Sequence, residues 1–348
     1  MERIDTVIVG GGQAGLSTSY YLKQEGREHV VLEQAAKAGN AWRDGRWDSF
    51  TLVTPNWSVR LPGAEYDGPD RDGFMPKRDI VAYFERYVER FGLPVRYNTR
   101  VLSVEQLDSG GYRVETSGGP ILANNVVIAT GLEQLPNIPV YAEAISPEIE
   151  QMHSSKYRNP GALPPGAVLV VGSAQSGAQI AEELYLSGRN VYLSTGGAGR
   201  APRRYRGKDT VEWLFMLGFF DIPPEKLPVP KEHFVAPHVS GANGGHTLNL
   251  HTFARDGVTL LGHVRGAEGD RVYFAPDLYE NLGKSDGFEF GAKQMIDGFI
   301  AASGIDAPAE ELPQMRDGFE QPVIEEINLK AEGIGTIIWA TGYRFDFS

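Results

Sequence analysis

The sequence predicts an α/β protein of two similar strand–turn–helix–strand units, the second set within the first, with a small antiparallel β element beside them. Three observations carry that prediction. A glycine turn, Gly10-Gly11-Gly12-Gln13-Ala14-Gly15, follows the apolar strand Val7-Ile8-Val9. A second turn, Gly172-Ser173-Ala174-Gln175-Ser176-Gly177, follows Val168 to Val171. Two further apolar strands, Asn125 to Ile128 and Thr336 to Trp339, close on the same tripeptide, Ala129-Thr130-Gly131 and Ala340-Thr341-Gly342. The expected division is a first domain over 1–150, rejoined by 335–348, and a second over 151–334 with an insert at 196–324.

The first unit has the pattern that holds a dinucleotide. A buried strand ends in a tight turn and a helix starts at once, so its free N–H groups and positive dipole end face a pyrophosphate. Gly10 makes the turn, Gly12 lets backbone approach phosphate, and Gly15 lets the helix pack on the sheet. Gln13 and Ala14 open the helix, which runs through Leu16 and Leu22 and stops at Gly26. The next strand, His29 to Leu32, ends on Glu33, roughly 20 residues past the turn, where a carboxylate can accept both ribose hydroxyls of an adenosine.

The second unit repeats the pattern with two changes. Ala174 replaces the middle glycine, adding a methyl where backbone should approach phosphate. The strand after its helix ends at Ser194 with no acid behind it, and Arg200, Arg203, Arg204 and Arg206 follow. A missing acid with arginine nearby suits a 2′-phosphate, which a carboxylate would repel and a guanidinium can fork onto. NADPH is therefore favoured, with NADH as the alternative; the other reading of these arginines is a solvated surface run. Two dinucleotides held by one chain is the architecture of electron transfer from a nicotinamide to a flavin.

The remaining segments read as scaffold or wall. A helix is expected over Asp79 to Phe91, where Ile80, Tyr83, Phe84, Tyr87 and Phe91 keep the 3.6 period. Val101 to Val104 and Tyr112 to Glu115 read as a hairpin. The insert carries aromatics at Trp213-Leu214-Phe215 and Phe219-Phe220, a loop rich in glycine, asparagine and histidine, and a hairpin pairing Leu260–Val264 with Arg271–Phe274. It reads either as a wall over the flavin or as an edge-covering or oligomer contact.

Composition bounds the function. A chain of 348 residues with 41% apolar content suits two cores. Thirty-three basic against 45 acidic residues give a net charge of −12, which argues against nucleic acid or an anionic membrane as partner. There is no signal peptide and no 18-residue apolar span, so the cytoplasm is expected. His246 and His251 stand without thiols, and no metal is expected. A homodimer stays open.

At the paired turns and the paired Ala-Thr-Gly strand ends the chain resembles the two-dinucleotide flavoprotein superfamily. It contains no cysteine, which excludes the thiol chemistry of that superfamily's disulfide reductases and peroxidases. The linker Pro147 to Tyr157 half-matches the FxGxxxHxxx(Y/F) fingerprint of flavin-containing monooxygenases: His153 and Tyr157 fit, while Pro147 and Ile149 depart. Lys37-Ala38-Gly39-Asn40-Ala41-Trp42 is similar to the family's Gly-Gly-x-Trp loop, with Asn40 in place of the second glycine.

The resemblance implies FAD in the first turn, with contacts from Gln34, Gly39, Asn40, Trp42, Val101, Ala129, Thr130 and Gly131. It implies a nicotinamide dinucleotide in the second turn, near Ser194, Thr341 and Gly342. It places Asn56 beside the reactive flavin face and His153 and Tyr157 beside the nicotinamide. The implied activity is an FAD-dependent monooxygenase that uses NAD(P)H and O2, through a C4a-(hydro)peroxyflavin, to oxygenate a small molecule at sulfur, nitrogen or a carbonyl. Alternatives are an NAD(P)H:acceptor oxidoreductase or oxidase, a Baeyer–Villiger monooxygenase, and an inactive flavin-binding chain. Relatives continue past the second Ala-Thr-Gly, whereas this sequence stops at Ser348, so a truncated chain lacking the flavin-domain tail is expected.

Overall fold

The computed structural model describes residues 1–226 and 237–347, so part of the expected insert (227–236) and Ser348 lie outside the described residues. The chain divides into two units. The first comprises Met1–Phe50, Pro55–Pro136 and Gly342–Ser348; the second comprises Thr51–Thr54 and Asn137–Thr341.

A six-stranded sheet organises the first unit, in the order Val95–Arg96, His29–Leu32, Glu2–Val9, Ile121–Ile128, Tyr112–Thr116, Val101–Gln106. The first four strands are parallel, with Val7 opposite Val30 on one side and Val126 on the other. The last three form an antiparallel meander that shares Ile121–Ile128, so the expected hairpin extends the main sheet. Val7, Val9, Val30, Leu32, Val114 and Ile121 bury one face together. The helix Lys77–Phe91 buries Ile80, Val81, Tyr83, Phe84 and Tyr87. It starts two residues before the expected Asp79 because Pro76, fixed at φ −70°, already serves as N-cap, and it ends on Gly92 in the left-handed region.

The second unit has a five-stranded, wholly parallel sheet: Glu150–His153, Ile334–Trp339, Ala167–Val171, Val191–Ser194, Thr259–Leu261. Every residue of Ala167–Val171 is buried, as expected of a continuous apolar run in a parallel sheet. A separate antiparallel sheet joins Val264–Glu268, Arg271–Phe274 and Glu326–Asn328. Both units therefore combine a parallel sheet with a three-stranded meander, and the mixed α/β class of two Rossmann-like units stands.

Three details differ from the sequence reading. The unit boundaries fall after Pro136 and after Thr341, not at 150 and 335, because Glu150–His153 pairs in parallel with Ile334–Trp339 and both strands lie in the second sheet. Leu260 to Val264 is not one strand. Thr259–Leu261 joins the parallel sheet, and the meander begins at Val264; at Gly262 between them a side chain would overlap the Ala275 carbonyl. A 26-residue helix, Leu278–Ser303, was not anticipated. Its Gly283, Gly287, Gly291 and Gly298 each weaken a helix by about 1 kcal/mol, which hides the periodicity. All four face open space, while Leu278, Leu282, Ile296 and Ile300 bury the opposite face.

Candidate functional site: two phosphate turns and their surroundings

The two turns are built alike. Gly10 lies at φ +111° and Gly172 at φ +104°, a conformation that favours glycine. A side chain on Gly10 would overlap the Ala129 carbonyl oxygen, and one on Gly172 would stand 2.6 Å from the Ala340 carbonyl oxygen. Ala129 N–H donates to Val9 O at 2.8 Å, and Ala340 N–H to Val171 O at 2.9 Å. Each Ala-Thr-Gly thus presses its alanine carbonyl against the first glycine of a phosphate turn, and each ends on a glycine of matching φ, +77° at Gly131 and +76° at Gly342. The last glycine of each turn is fixed as well. A side chain on Gly15 would overlap Gly10 O, and one on Gly177 would overlap Gly172 O.

The helices Gln13–Gln24 and Gln175–Leu186 begin directly after the turns, with Gly12 and Ala174 as N-caps and no side-chain cap on either. Helices usually cap these N–H groups with Ser, Thr, Asp or Asn; here no side chain does so. A side chain on Gly12 would meet nothing within 4 Å, and Gly12, Gln13 and Ala14 are exposed, so the first cradle is open. Ser176 opens the second helix beside Gln175.

Glu33 is fixed against this turn by backbone donors. Its Oε2 accepts Gly11 N–H at 2.8 Å and its Oε1 accepts Ala35 N–H at 2.8 Å, leaving each oxygen a further lone pair. Gln34 beside it is exposed. Gly39, at φ +74°, starts the short helix Asn40–Arg43; Trp42 stacks near Phe50 (5.7 Å) and beneath the Arg46 guanidinium (5.3 Å). Val101 is half-buried on the meander, and Thr130 Oγ1 accepts from Gln134 Nε2 at 2.9 Å.

Asn56 is buried, and its amide is fixed by Nδ2 donating to Asp70 O at 2.8 Å. Its Oδ1, also buried, has no partner. An orphaned buried acceptor costs about 1–3 kcal/mol, so a donor is missing there. Open cradle, spare carboxylate lone pairs and orphaned acceptor together fit a flavin dinucleotide in the first unit; the second turn fits a second dinucleotide by the same geometry.

The linker residues point inward. His153 is buried and its Nδ1 accepts Ser155 N–H at 3.2 Å, so Nδ1 carries no proton in that bond. Tyr157 is fully buried and donates to Glu183 Oε2 at 2.6 Å. Ser194 is buried and donates to Gly262 O at 2.9 Å. Thr341 donates its hydroxyl to Asn137 O.

Three of the four expected arginines are spent on carboxylates. Buried Arg200 bonds Glu289 Oε2 through Nε at 2.6 Å and Asp286 through Nη2 at 2.8 Å. Buried Arg203 bonds Asp209 at 2.5 Å and Val53 O at 2.7 Å. Arg206 bonds Asp297 at 2.7 Å. Arg204 alone of the four is exposed.

Several contacts near the second turn have no signal in the sequence. Gln175 binds Val239 on both its backbone groups, Nε2 to O at 2.5 Å and N–H to Oε1 at 3.1 Å, and Ser173 Oγ accepts Gly196 N–H at 3.1 Å. His246 contacts Glu182 at 2.7 Å, and that bond raises its pKa. His251 Nδ1 accepts Gly318 N–H at 3.0 Å while Nε2 faces Asp286 at 3.3 Å. His238 is fully buried; burial first, then the Arg200 charge, push its pKa down to about 4. None of these contacts follows from a local motif, because each partner is distant in sequence.

Fold and turns define a mixed α/β protein of two Rossmann-like units. The profile of the pyridine nucleotide-disulphide oxidoreductase family matches residues 7–214, and the chain belongs to that family, within which it is flavin-containing-monooxygenase-like. An uncharacterized CzcO-like oxidoreductase of Geobacillus kaustophilus is 40% identical over 220 residues, 63% of this chain and 62% of that protein. Human flavin-containing monooxygenase 5 is 30% identical over 372 aligned residues, 100% of this chain and 63% of that protein. The chain thus spans about three fifths of the length of these relatives. A flavin-containing monooxygenase from Stenotrophomonas maltophilia superimposes with a TM-score of 0.63 at 21% identity, over 99% of this chain and 80% of that one, a likeness of fold. Among the described residues no helix is long and apolar enough to cross a membrane.

Proposed function

We propose that the first unit holds FAD and the second NADPH, with NADH as the weaker alternative, and that the protein uses them with O2 to oxygenate a small organic substrate at sulfur, nitrogen or a carbonyl. The observation that carries this reading is the duplicated lattice in which Gly10, Gly15 and Ala129 match Gly172, Gly177 and Ala340. FAD, when bound, supplies hydride acceptance and reaction with oxygen. The chain's part is binding, orientation and exclusion of water.

The uncapped N–H groups at Gln13 and Gln175 take up the pyrophosphates. Glu33 accepts ribose hydroxyls through its spare lone pairs. Asn56 offers Oδ1 to a donor where reduced flavin meets oxygen; being held by Asp70 O, it needs no reorganisation to do so. His153 and Tyr157 are positioning residues: each is tied into the second unit, and the linker between them sets the edge of the nicotinamide site. No acid–base triad is required, since the organic chemistry belongs to the cofactor. The absence of cysteine from this chain removes the thiol route used by disulfide reductases of the family.

Asn56→Ala tests the oxygenase reading. With FAD bound and a simple aryl thioether as substrate, the variant should still consume NADPH. The ratio of hydrogen peroxide to sulfoxide should rise about tenfold, the loss of one hydrogen bond of ~1.4 kcal/mol. Unchanged coupling would remove Asn56 from the oxygen step. Stoichiometric peroxide from the wild type with every sulfide, amine and ketone tried would replace the oxygenase by an oxidase.

A further inference from the structure

We infer that Lys284, and not the carboxylate-bound Arg200, Arg203 or Arg206 after the second strand, selects a 2′-phosphate on the dinucleotide of the second turn; this rests on the reading of that turn as the NADPH site. In such units the loop behind the second strand meets the adenosine ribose and decides what its 2′ position carries. Here that loop is Thr195 to Gly199, behind Val191–Ser194.

Its own side chains are committed elsewhere. Ser194 and Thr195 give their hydroxyls to the carbonyls of Gly262 and Leu261, at 2.9 and 2.8 Å. Arg200, Arg203 and Arg206 are tied to Glu289 and Asp286, to Asp209, and to Asp297. Turning Arg200 or Arg203 toward a nucleotide would strip a carboxylate of its partner in a buried setting, which is strongly unfavourable.

The long helix Leu278–Ser303 lies along this loop in register. Asn281 Nδ2 donates to Thr195 O at 3.4 Å. The Lys284 side chain crosses Gly197, its Cδ 3.6 Å from where a Cβ would stand. Phe288 covers Gly199, its Cβ 3.0 Å from the equivalent point. Positions 281, 284 and 288 share one helix face, and 195, 197 and 199 alternate along the loop, so each side chain meets its own loop residue. Gly197 is exposed and a side chain on Gly196 would meet nothing within 4 Å, which leaves room for a phosphate under the Lys284 ammonium.

Lys284 is also free to change partner. Its Nζ pairs with Glu280 at 2.7 Å, but both side chains are more than half exposed, at 53% and 65%. Such a surface pair is weak, and a phosphate with up to two charges outcompetes one carboxylate for the ammonium.

Adenosine 2′,5′-bisphosphate and 5′-AMP differ only in the 2′-phosphate, so their binding to the FAD-loaded protein by titration calorimetry reads the selection without turnover. The wild type should prefer the bisphosphate about tenfold. Lys284→Ala should bring that ratio close to one with 5′-AMP affinity unchanged. Lys284→Arg should keep most of it, and Glu280→Gln should tighten the bisphosphate alone. A Lys284→Ala variant that keeps the wild-type ratio overturns the inference, as does a wild-type ratio near one with both nucleotides bound. Failure of both nucleotides to bind the wild type would instead remove the nucleotide reading of the second turn, and the role of Lys284 with it.

Discussion

Gly15→Ala should weaken flavin binding roughly 100-fold, whereas Gly177→Ala should leave flavin bound and weaken the nicotinamide nucleotide to the same extent. At each position an added Cβ would overlap the carbonyl oxygen of the first turn glycine, Gly10 or Gly172. The overlap is with backbone, so no side-chain rotation relieves it. The helix must move off the sheet, and the N–H groups that face the phosphate move with it. Overpacking of this kind costs up to about 3 kcal/mol, equivalent to a loss of roughly 100-fold in affinity. Absorbance of the purified variants, with nucleotide titration of those that remain yellow, separates the two sites. If Gly15→Ala retains stoichiometric flavin, or Gly177→Ala binds nucleotide like the wild type, the corresponding turn is not a dinucleotide site.

The second large effect is on acid stability. The ordinary pKa of His238, near 6.5, is pushed down to about 4 by its burial and then by the Arg200 charge, with the Leu248 carbonyl opposing weakly. Neither ring nitrogen has a well-formed hydrogen bond; the Leu248 carbonyl is near enough to influence the ring but too poorly placed to count as an acceptor. The folded state therefore requires a neutral ring that the unfolded chain would protonate. The sign follows: the contribution is fully present above the unfolded value near 6.5 and is lost as pH falls toward 4. The loss amounts to about 3 kcal/mol.

His246 has the opposite slope. Its pKa is raised, chiefly by the hydrogen bond to Glu182, so its contribution is present below the ordinary value and fades as pH rises through the folded one. His238→Leu isolates the first effect. In urea unfolding of the FAD-loaded protein, the wild type should lose about 3 kcal/mol more than the variant between pH 7 and pH 4. Parallel pH profiles of the two proteins would contradict the burial account.

What could be read from the sequence follows a physical line. The two turns were legible because Gly10, Gly15, Gly172 and Gly177 meet demands set within a few residues of strand, turn and helix. Glu33 was legible because it stands one strand later in the same unit. The paired Ala-Thr-Gly segments were visible as a pattern, but their contact with Gly10 and Gly172 belongs to the folded sheet and has no local signal.

Arg200 and Arg206 looked available because their partners were hidden. Asp286, Glu289 and Asp297 all sit on the helix Leu278–Ser303, whose exposed glycines masked it. The same omission concealed Lys284. The misplaced unit boundary has a similar origin: Glu150–His153 reads as linker until Ile334–Trp339 pairs with it.

The central claim is that a nicotinamide dinucleotide in the second unit reduces a flavin in the first. Anaerobic addition of one equivalent of NADPH to the FAD-loaded chain, followed by visible absorbance, tests it most directly. The oxidised-flavin absorbance should be lost in the wild type and persist in Gly177→Ala. A flavin that stays oxidised in the wild type while NADPH is shown to be bound would contradict it.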